Sequence, residues 1–222
     1  MPPQPKEAEL LFVGPSREFP QERARRTYEA LVDAGARLFA RRGFDATQTP
    51  DIAAEAGVSV GTFYRYFPDK MEMFLEIQRR HLARAYHEVM GRLTPDRFAS
   101  VDGRAAIEDA LGVLLDHINR SPEMQRVFLE MALRDERVAA LKRAFDDAAR
   151  PALAALIARI APRRQVPDPE ATAFIIHVAV VECAIAIGGG RGAAPVSRER
   201  ALAALTELVC RAVGLGEAGI AR

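Results

Sequence analysis

Tryptophan is absent, cysteine occurs twice among 222 residues, and aromatic residues make up only 7%. So few cysteines argue against a small disulfide-stapled fold. Cys183 and Cys210 lie in apolar helical stretches separated by a Gly-rich loop, where buried free thiols are expected. An excess of one charge is also missing: 31 Lys and Arg oppose 30 Asp and Glu, for a net charge of +1. No global basic field marks a nucleic-acid binder, so any such role must rest on local placement of Arg and Lys. No uninterrupted apolar run reaches the roughly 20 residues of a membrane span. The longest, Ala171–Ile187, is broken by Thr172, His177 and Glu182, and reads as a buried helix. The N-terminus lacks the basic, apolar, then small-residue order of a signal peptide, so a cytoplasmic protein without a membrane partner is expected. Strand alternation and internal repeats are missing as well.

What is present favours helix. Ala, Leu and Arg dominate, 49% of residues are hydrophobic and 27% charged, enough apolar material for a substantial core. The expected fold is all-α, with about nine helices: an N-terminal three-helix helix-turn-helix head on a larger helical bundle. Residues 1–20, with five prolines and mixed charges, read as a flexible arm. Residues 21–68 form the head and 69–222 the body.

In the first helix Tyr28, Leu31, Val32, Gly35, Leu38 and Phe39 recur at three- and four-residue steps, and Gly43 ends it after Arg41 and Arg42. Thr47 is the predicted N-cap of a short second helix, with Pro50 in its first turn. Gly57 makes a tight turn, Ser59 caps the third helix, Val60–Phe67, and Pro68 ends it. Asp69 and Glu72 form a capping box opening a fourth helix that runs to about Gly91. Thr94–Gly103 reads as a loop. A fifth helix carries Ile107 to Ile118, and Ser121-Pro122 opens a sixth. A seventh, from about Glu136 to Ile160, should kink or break near Asp147 because Pro151 lies inside it. Asp168-Pro169-Glu170 opens the eighth and Ser197 caps the ninth.

The two short helices around Gly57 form a helix-turn-helix pattern. At 100° per residue, Phe63 and Phe67 of the third helix face a core that Leu38, Phe39, Ile52 and Ala53 complete. Gly61 and Arg65 lie opposite, flanked by Thr62, Tyr66 and Tyr64. That outer surface is small at its N-terminal end, hydroxyl-rich and cationic, a shape the major groove admits. Gly61 permits close backbone approach. Thr62, Tyr64 and Tyr66 can donate to phosphates, and Lys70 can add a charge. Arg65 is the candidate for a guanine edge or a phosphate, and Val60 for a thymine methyl. Thr47 and Gln48, at a helix N-terminus, are candidates for another phosphate.

Residues Arg26–Leu75 resemble the DNA-binding region of the TetR family of bacterial repressors. The resemblance rests on Ala34, Leu38-Phe39, Gly43-Phe44, Thr47, Asp51-Ile52-Ala53, Ala56-Gly57-Val58-Ser59, Gly61-Thr62-Phe63-Tyr64, Tyr66-Phe67 and Lys70. It implies a homodimer on a palindromic double-stranded operator, with Thr62, Tyr64, Tyr66 and Lys70 at the DNA. The chain departs from the family at Val60, where many members carry a long polar or basic residue, and at Pro50, where some carry a base-reading Arg. Both departures move base readout toward Arg65, or toward an Arg23–Arg26 arm in the adjacent minor groove.

The eighth helix is apolar nearly all round and needs cover on every side. One side can face its own bundle and the other a partner subunit, with the ninth helix joining it, as the resemblance implies. The resemblance also implies a pocket for a small-molecule effector, with Met90, Leu111, Leu115, Met124, Phe128, Met131, Phe145, Phe174 and His177 as candidate lining. No cofactor is implied. His177 and Cys183, six residues apart, point about 240° around the helix and do not converge on a metal, nor do His81 and His87. Nucleophile–base pairs, paired carboxylates and a phosphate loop are not recognisable, and Gly188–Gly190 follows a helix instead of opening one, so an enzyme is not expected. The expected function is a DNA-binding transcriptional regulator, a repressor released by a small apolar ligand. The alternative is a ligand-independent architectural DNA-binding factor of the same fold.

Overall fold

The computed structural model describes residues 21–100, 102–189, 192 and 194–215; the expected arm, 1–20, lies outside them. Among the described residues the fold is all-helical, with α1 (Glu22–Ala46), α2 (Thr49–Glu55), α3 (Val60–Tyr66), α4 (Lys70–Met90), α5 (Pro95–Ser100), α6 (Gly103–Asn119), α7 (Pro122–Arg134), α8 (Glu136–Ile160), α9 (Pro169–Ile187) and α10 (Arg198–Ala212). The eighth and ninth helices of the sequence reading are α9 and α10. The additional short helix is α5, in a stretch expected to be a loop; Thr94 O accepts from the amides of Arg97 and Phe98, closing its first turn.

Local chemistry sets most boundaries. Ser59, Asp69, Asp102, Ser121, Asp135, Asp168 and Ser197 each accept a hydrogen bond from an amide in the first turn of the helix they precede. Each such cap contributes about 1 kcal/mol. Gly43 breaks the helical path of α1 with φ 79°, and Gly57 turns α2 into α3 with φ 68°, both left-handed conformations that side chains disfavour. The expected break at Pro151 is absent: α8 runs as one helix through it. Its neighbours on both sides hold the helix in place, so the one missing amide donor costs a hydrogen bond without ending the element.

Two main cores result. The first is aromatic. Tyr28, Phe39, Phe63, Phe67 and Phe74 are buried together with Leu31, Leu38 and Ile52. Tyr28 stacks on Phe67 at 5.2 Å and Phe39 meets Phe74 edge-on at 5.3 Å, arrangements favoured by the ring quadrupoles. This core does not stop at the head: Met124, Val127, Phe128 and Met131 of α7, and Val138 and Leu141 of α8, belong to it. The second core is aliphatic, built from Ile107 and Leu111 of α6, Ile157 of α8, Ile176 and Val180 of α9, and Leu205 and Val209 of α10.

Helix α9 is long and apolar enough, by length and composition, to cross a membrane, with 33% of that stretch buried. One face, Ala173, Ile176, His177, Val180 and Ala184, is buried, whereas Phe174, Ile175 and Val178 of the other face are exposed. Cys210 is buried as expected, with its thiol pushed up by burial. Cys183 is exposed instead, because it sits on the uncovered side of α9.

Candidate nucleic-acid interface and effector cavity

Helix α3 is fixed from inside. Phe63 and Phe67 are buried at 0% and 2% exposure, and Ser59 Oγ accepts from the Thr62 amide at 3.2 Å. The opposite side is open: Val60, Gly61, Tyr64 and Arg65 are exposed and Thr62 and Tyr66 half-buried. A Cβ added at Gly61 would meet only Ser59 Oγ, at 3.9 Å. No contact with a described residue requires glycine there, although glycine costs a helix interior about 1 kcal/mol relative to alanine. The missing side chain leaves the N-terminal end of the outer face of α3 open.

The head's charges are largely consumed internally. Arg37 and Arg41 pair with Glu55, Arg42 with Asp51, and Arg25 and Arg26 with Glu22. Glu55 is held below the usual carboxylate range chiefly by its hydrogen bond from Arg37. Arg65 and Arg23 are the arginines of α1–α3 that make no ion pair with a described residue. Arg65 thus presents an uncommitted guanidinium at the centre of the outer face. Tyr64, 53% exposed, is braced by a 3.1 Å hydroxyl–hydroxyl bond to Thr49 of α2. Thr49 went unnoticed in the sequence because this contact spans fifteen residues and two helices. Thr62 Oγ1 lies 2.9 Å from Ser59 Oγ, which holds its hydroxyl at the helix start.

Three sequence assignments are corrected. Thr47 is fully buried; its hydroxyl donates to Gly43 O at 2.7 Å, and the N-cap position of α2 is Gln48, without a side-chain cap bond. The kink at Gly43 leaves its carbonyl unpaired, and Thr47 is the nearest donor. Lys70 does not face outward. Its ammonium donates to the carbonyls of Phe44, Asp45 and Thr47 at 2.9, 3.2 and 2.9 Å and lies over the Phe44 ring. All three N–H groups are spent closing the end of α1, where the orphan carbonyls attract a cation. Arg23–Arg26 are not an arm: they occupy the first turns of α1. Gln48 is exposed, as a DNA contact needs, though its amide donates to Asp45 O.

The body holds a cavity of about 110 Å³ between α4, α6, α8, α9 and α10. Of the expected lining, Met90, Leu111, Phe145 and His177 are present; Leu153, Ile157, Val180 and Val209 join them. Met124, Phe128 and Met131 are elsewhere, because the apolar stripe of α7 faces the head and fills the aromatic core. Leu115 is buried away from the cavity, and Phe174 is 47% exposed on the outer side of α9. An apolar stripe shows that a face is covered, not what covers it.

His177 is the cavity's imidazole. Its Nε2 is 2.9 Å from Asp146 Oδ1, and Lys142 donates to the other carboxylate oxygen at 2.9 Å. Burial works to raise the Asp146 carboxyl, but the bonds from His177 and Lys142 outweigh it and hold the group below its ordinary range. Between α4 and α6, the rings of His81 and His117 lie 4.2 Å apart. His117 is 2% exposed; neither ring nitrogen finds a hydrogen-bond partner, and Nδ1 lies 3.8 Å from a carboxylate oxygen of Glu88. Burial, then repulsion from His117, Arg84 and Arg120, pushes His81 down to about 4. Among the described residues no group of three or more His, Cys, Asp or Glu is arranged to hold a metal ion.

Residues 31–77 match the family described as bacterial regulatory proteins, tetR family. Over 96 residues the chain is 32% identical to the nucleoid occlusion factor SlmA of Haemophilus influenzae, which covers 43% of this chain and 42% of that protein. Over 91 residues it is 34% identical to the HTH-type transcriptional repressor KstR2 of Rhodococcus jostii, covering 41% and 43%. The match thus spans less than half the length of these curated relatives. A solved TetR-like transcriptional regulator from Rhodococcus sp. RHA1 superposes over 89% of this chain and 99% of its own, with a TM-score of 0.64 at 21% identity. The helix-turn-helix region, residues 31–77, thus matches the tetR family of bacterial regulatory proteins by sequence, and the chain shares its fold with a solved TetR-like regulator.

Proposed function

We propose that this protein is a sequence-specific, cytoplasmic DNA-binding transcriptional regulator, a repressor that leaves a palindromic operator when a small apolar ligand fills the body cavity. The observation that carries the DNA reading is the outer face of α3: Arg65 without an internal partner, beside a Gly61 that no internal contact explains. Gly61, Thr62, Tyr64, Arg65 and Tyr66 meet the major groove, with Val60 and Gln48 at its edges. Lys70 and Thr47 position the head.

The homodimer forms through α9 and α10. Phe174, Ile175 and Val178 at 47%, 60% and 43% exposure, with Leu208 at 50%, support it, since contiguous apolar surface of this kind marks an interface. Two α3 helices related by a two-fold axis then read half-sites about 34–36 Å apart. Two rods connect cavity to head. Helix α4 contributes Met71, Met73 and Phe74 to the aromatic core and Met90 to the cavity; α8 contributes Val138 and Leu141 to one and Phe145 and Ile157 to the other. Arg80 ties α4 to α1 through Glu29, at 2.7 and 3.2 Å. A ligand that displaces either rod changes the spacing of the α3 pair.

Selection of genomic fragments bound by the purified protein, with and without candidate ligands, tests this directly. Enrichment of a palindrome is expected, and Arg65→Ala should relax preference at one position per half-site by about 1–3 kcal/mol. Failure to bind duplex DNA at low salt would overturn it. Operator affinity unaffected by any ligand that fills the cavity would favour the ligand-independent architectural factor instead.

A further inference from the structure

We propose that the effector is a single-chain amphiphile: an apolar tail ending in an anionic head, the tail in the cavity and the head held by Arg159. This rests on the ligand-response reading above and names the chemistry of that site. The cavity has a neighbour on its α5 side. Phe98 and Ile160 line both it and an outer recess of about 310 Å³, whose remaining lining is Pro95, Gly103, Arg159 and Leu215. The inner space is walled almost wholly by aliphatic and aromatic carbon, whereas Arg159 is the recess's charged residue.

Arg159 stands apart from the other basic residues of α8. Arg137 pairs with Asp135, Lys142 with Asp146, Arg143 with Glu136 and Arg150 with Asp147. Arg159 makes no ion pair or hydrogen bond with any described residue, and none of the recess residues is acidic. Arg163 and Arg164, exposed just beyond the end of α8, are likewise without carboxylate partners among the described residues. An apolar molecule occupying the cavity and passing Phe98 and Ile160 brings its terminus to an uncompensated guanidinium. A carboxylate or phosphate there forms a charge-assisted, often bidentate, pair that a neutral terminus cannot form. The apolar wall, conversely, gives nothing to a ligand charged along its length.

Isothermal titration calorimetry of the full chain with decanoate and 1-decanol tests this. The expected result is decanoate binding roughly tenfold more tightly than the alcohol. Arg159→Ala should bring decanoate to the alcohol's affinity and leave the alcohol unchanged; Arg159→Glu should make the acid the weaker ligand. Thermal melts of both variants report that the surface substitution leaves the fold intact. Equal binding of the two probes by the wild type, or a ratio untouched by Arg159→Ala, would overturn the amphiphile assignment while leaving the cavity reading in place. Binding of neither probe would overturn both. Decanoyl-coenzyme A is the third arm: tighter binding than decanoate, reduced by Arg163→Ala and Arg164→Ala, supports a phosphorylated head group, and weaker binding supports a free acid.

Discussion

The aromatic core of the head and the aliphatic core of the body are filled differently. Around Phe39, Phe63, Phe67 and Phe74, rings interlock and the largest side chains are fully buried. Around Leu111, Leu153 and Val180, small aliphatic side chains leave an empty volume. A densely interlocked core holds one arrangement and transmits displacement; a core with a void can admit a guest. Recognition of a fixed duplex spacing requires the first property, and response to a small molecule the second. The boundary between them is not the end of the head, because α7 and the N-terminal part of α8 are packed into the aromatic core.

Point substitutions put that contrast to the test. Phe63→Ala opens a void where neighbours cannot collapse, and should cost about 3–5 kcal/mol of stability, read by urea unfolding, with loss of DNA binding. Lys70→Met removes a cation from three carbonyls and should cost about 1.5–3 kcal/mol. If Lys70 served only a DNA phosphate, stability would stay constant and only the salt dependence of binding would change.

The same exchange at two buried alanines compares the cores most directly. Ala53→Leu in the head should destabilise by about 1–3 kcal/mol through overpacking, whereas Ala110→Leu, which points extra carbon at the cavity, should leave the melting temperature nearly unchanged and abolish ligand binding. Equal losses at both sites would show that the void is not usable space. Gly61→Ala should stabilise α3 by about 0.5–1 kcal/mol while weakening operator binding.

An effect absent at neutral pH and growing only in acid concerns His81. Its folded value near 4 lies below the ordinary 6.5, so in that window the unfolded chain binds more protons than the folded one. Stability should therefore fall as pH drops from about 6.5 toward 4, and His81→Leu should flatten that part of the profile.

Much of this was legible in the chain because it depends on near neighbours. Ser59, Asp69, Ser121, Asp168 and Ser197 cap where they were expected to, since a cap bonds an amide two or three residues on. The inward face of α3 followed from helical period alone. Assignments failed where a side chain's partner is distant in sequence. Lys70 looked like a free cation at a helix start until the carbonyls of residues 44 to 47 were brought beside it. Phe128 and Met131 read as pocket lining because periodicity does not name the opposing element.

The helices, most of their caps, and a helix-turn-helix with Gly61 and Arg65 on one side and Phe63 and Phe67 on the other are written in the order of residues alone, because these follow from backbone hydrogen bonding and a period of 3.6. It took the packed fold to place α7 beneath the head, to spend Lys70 inside it, and to set the apolar cavity beside the Arg159 recess with Phe98 and Ile160 lining both. Those outcomes depend on how helices far apart in the chain pack against one another, and no local pattern encodes the identity of the face across the gap.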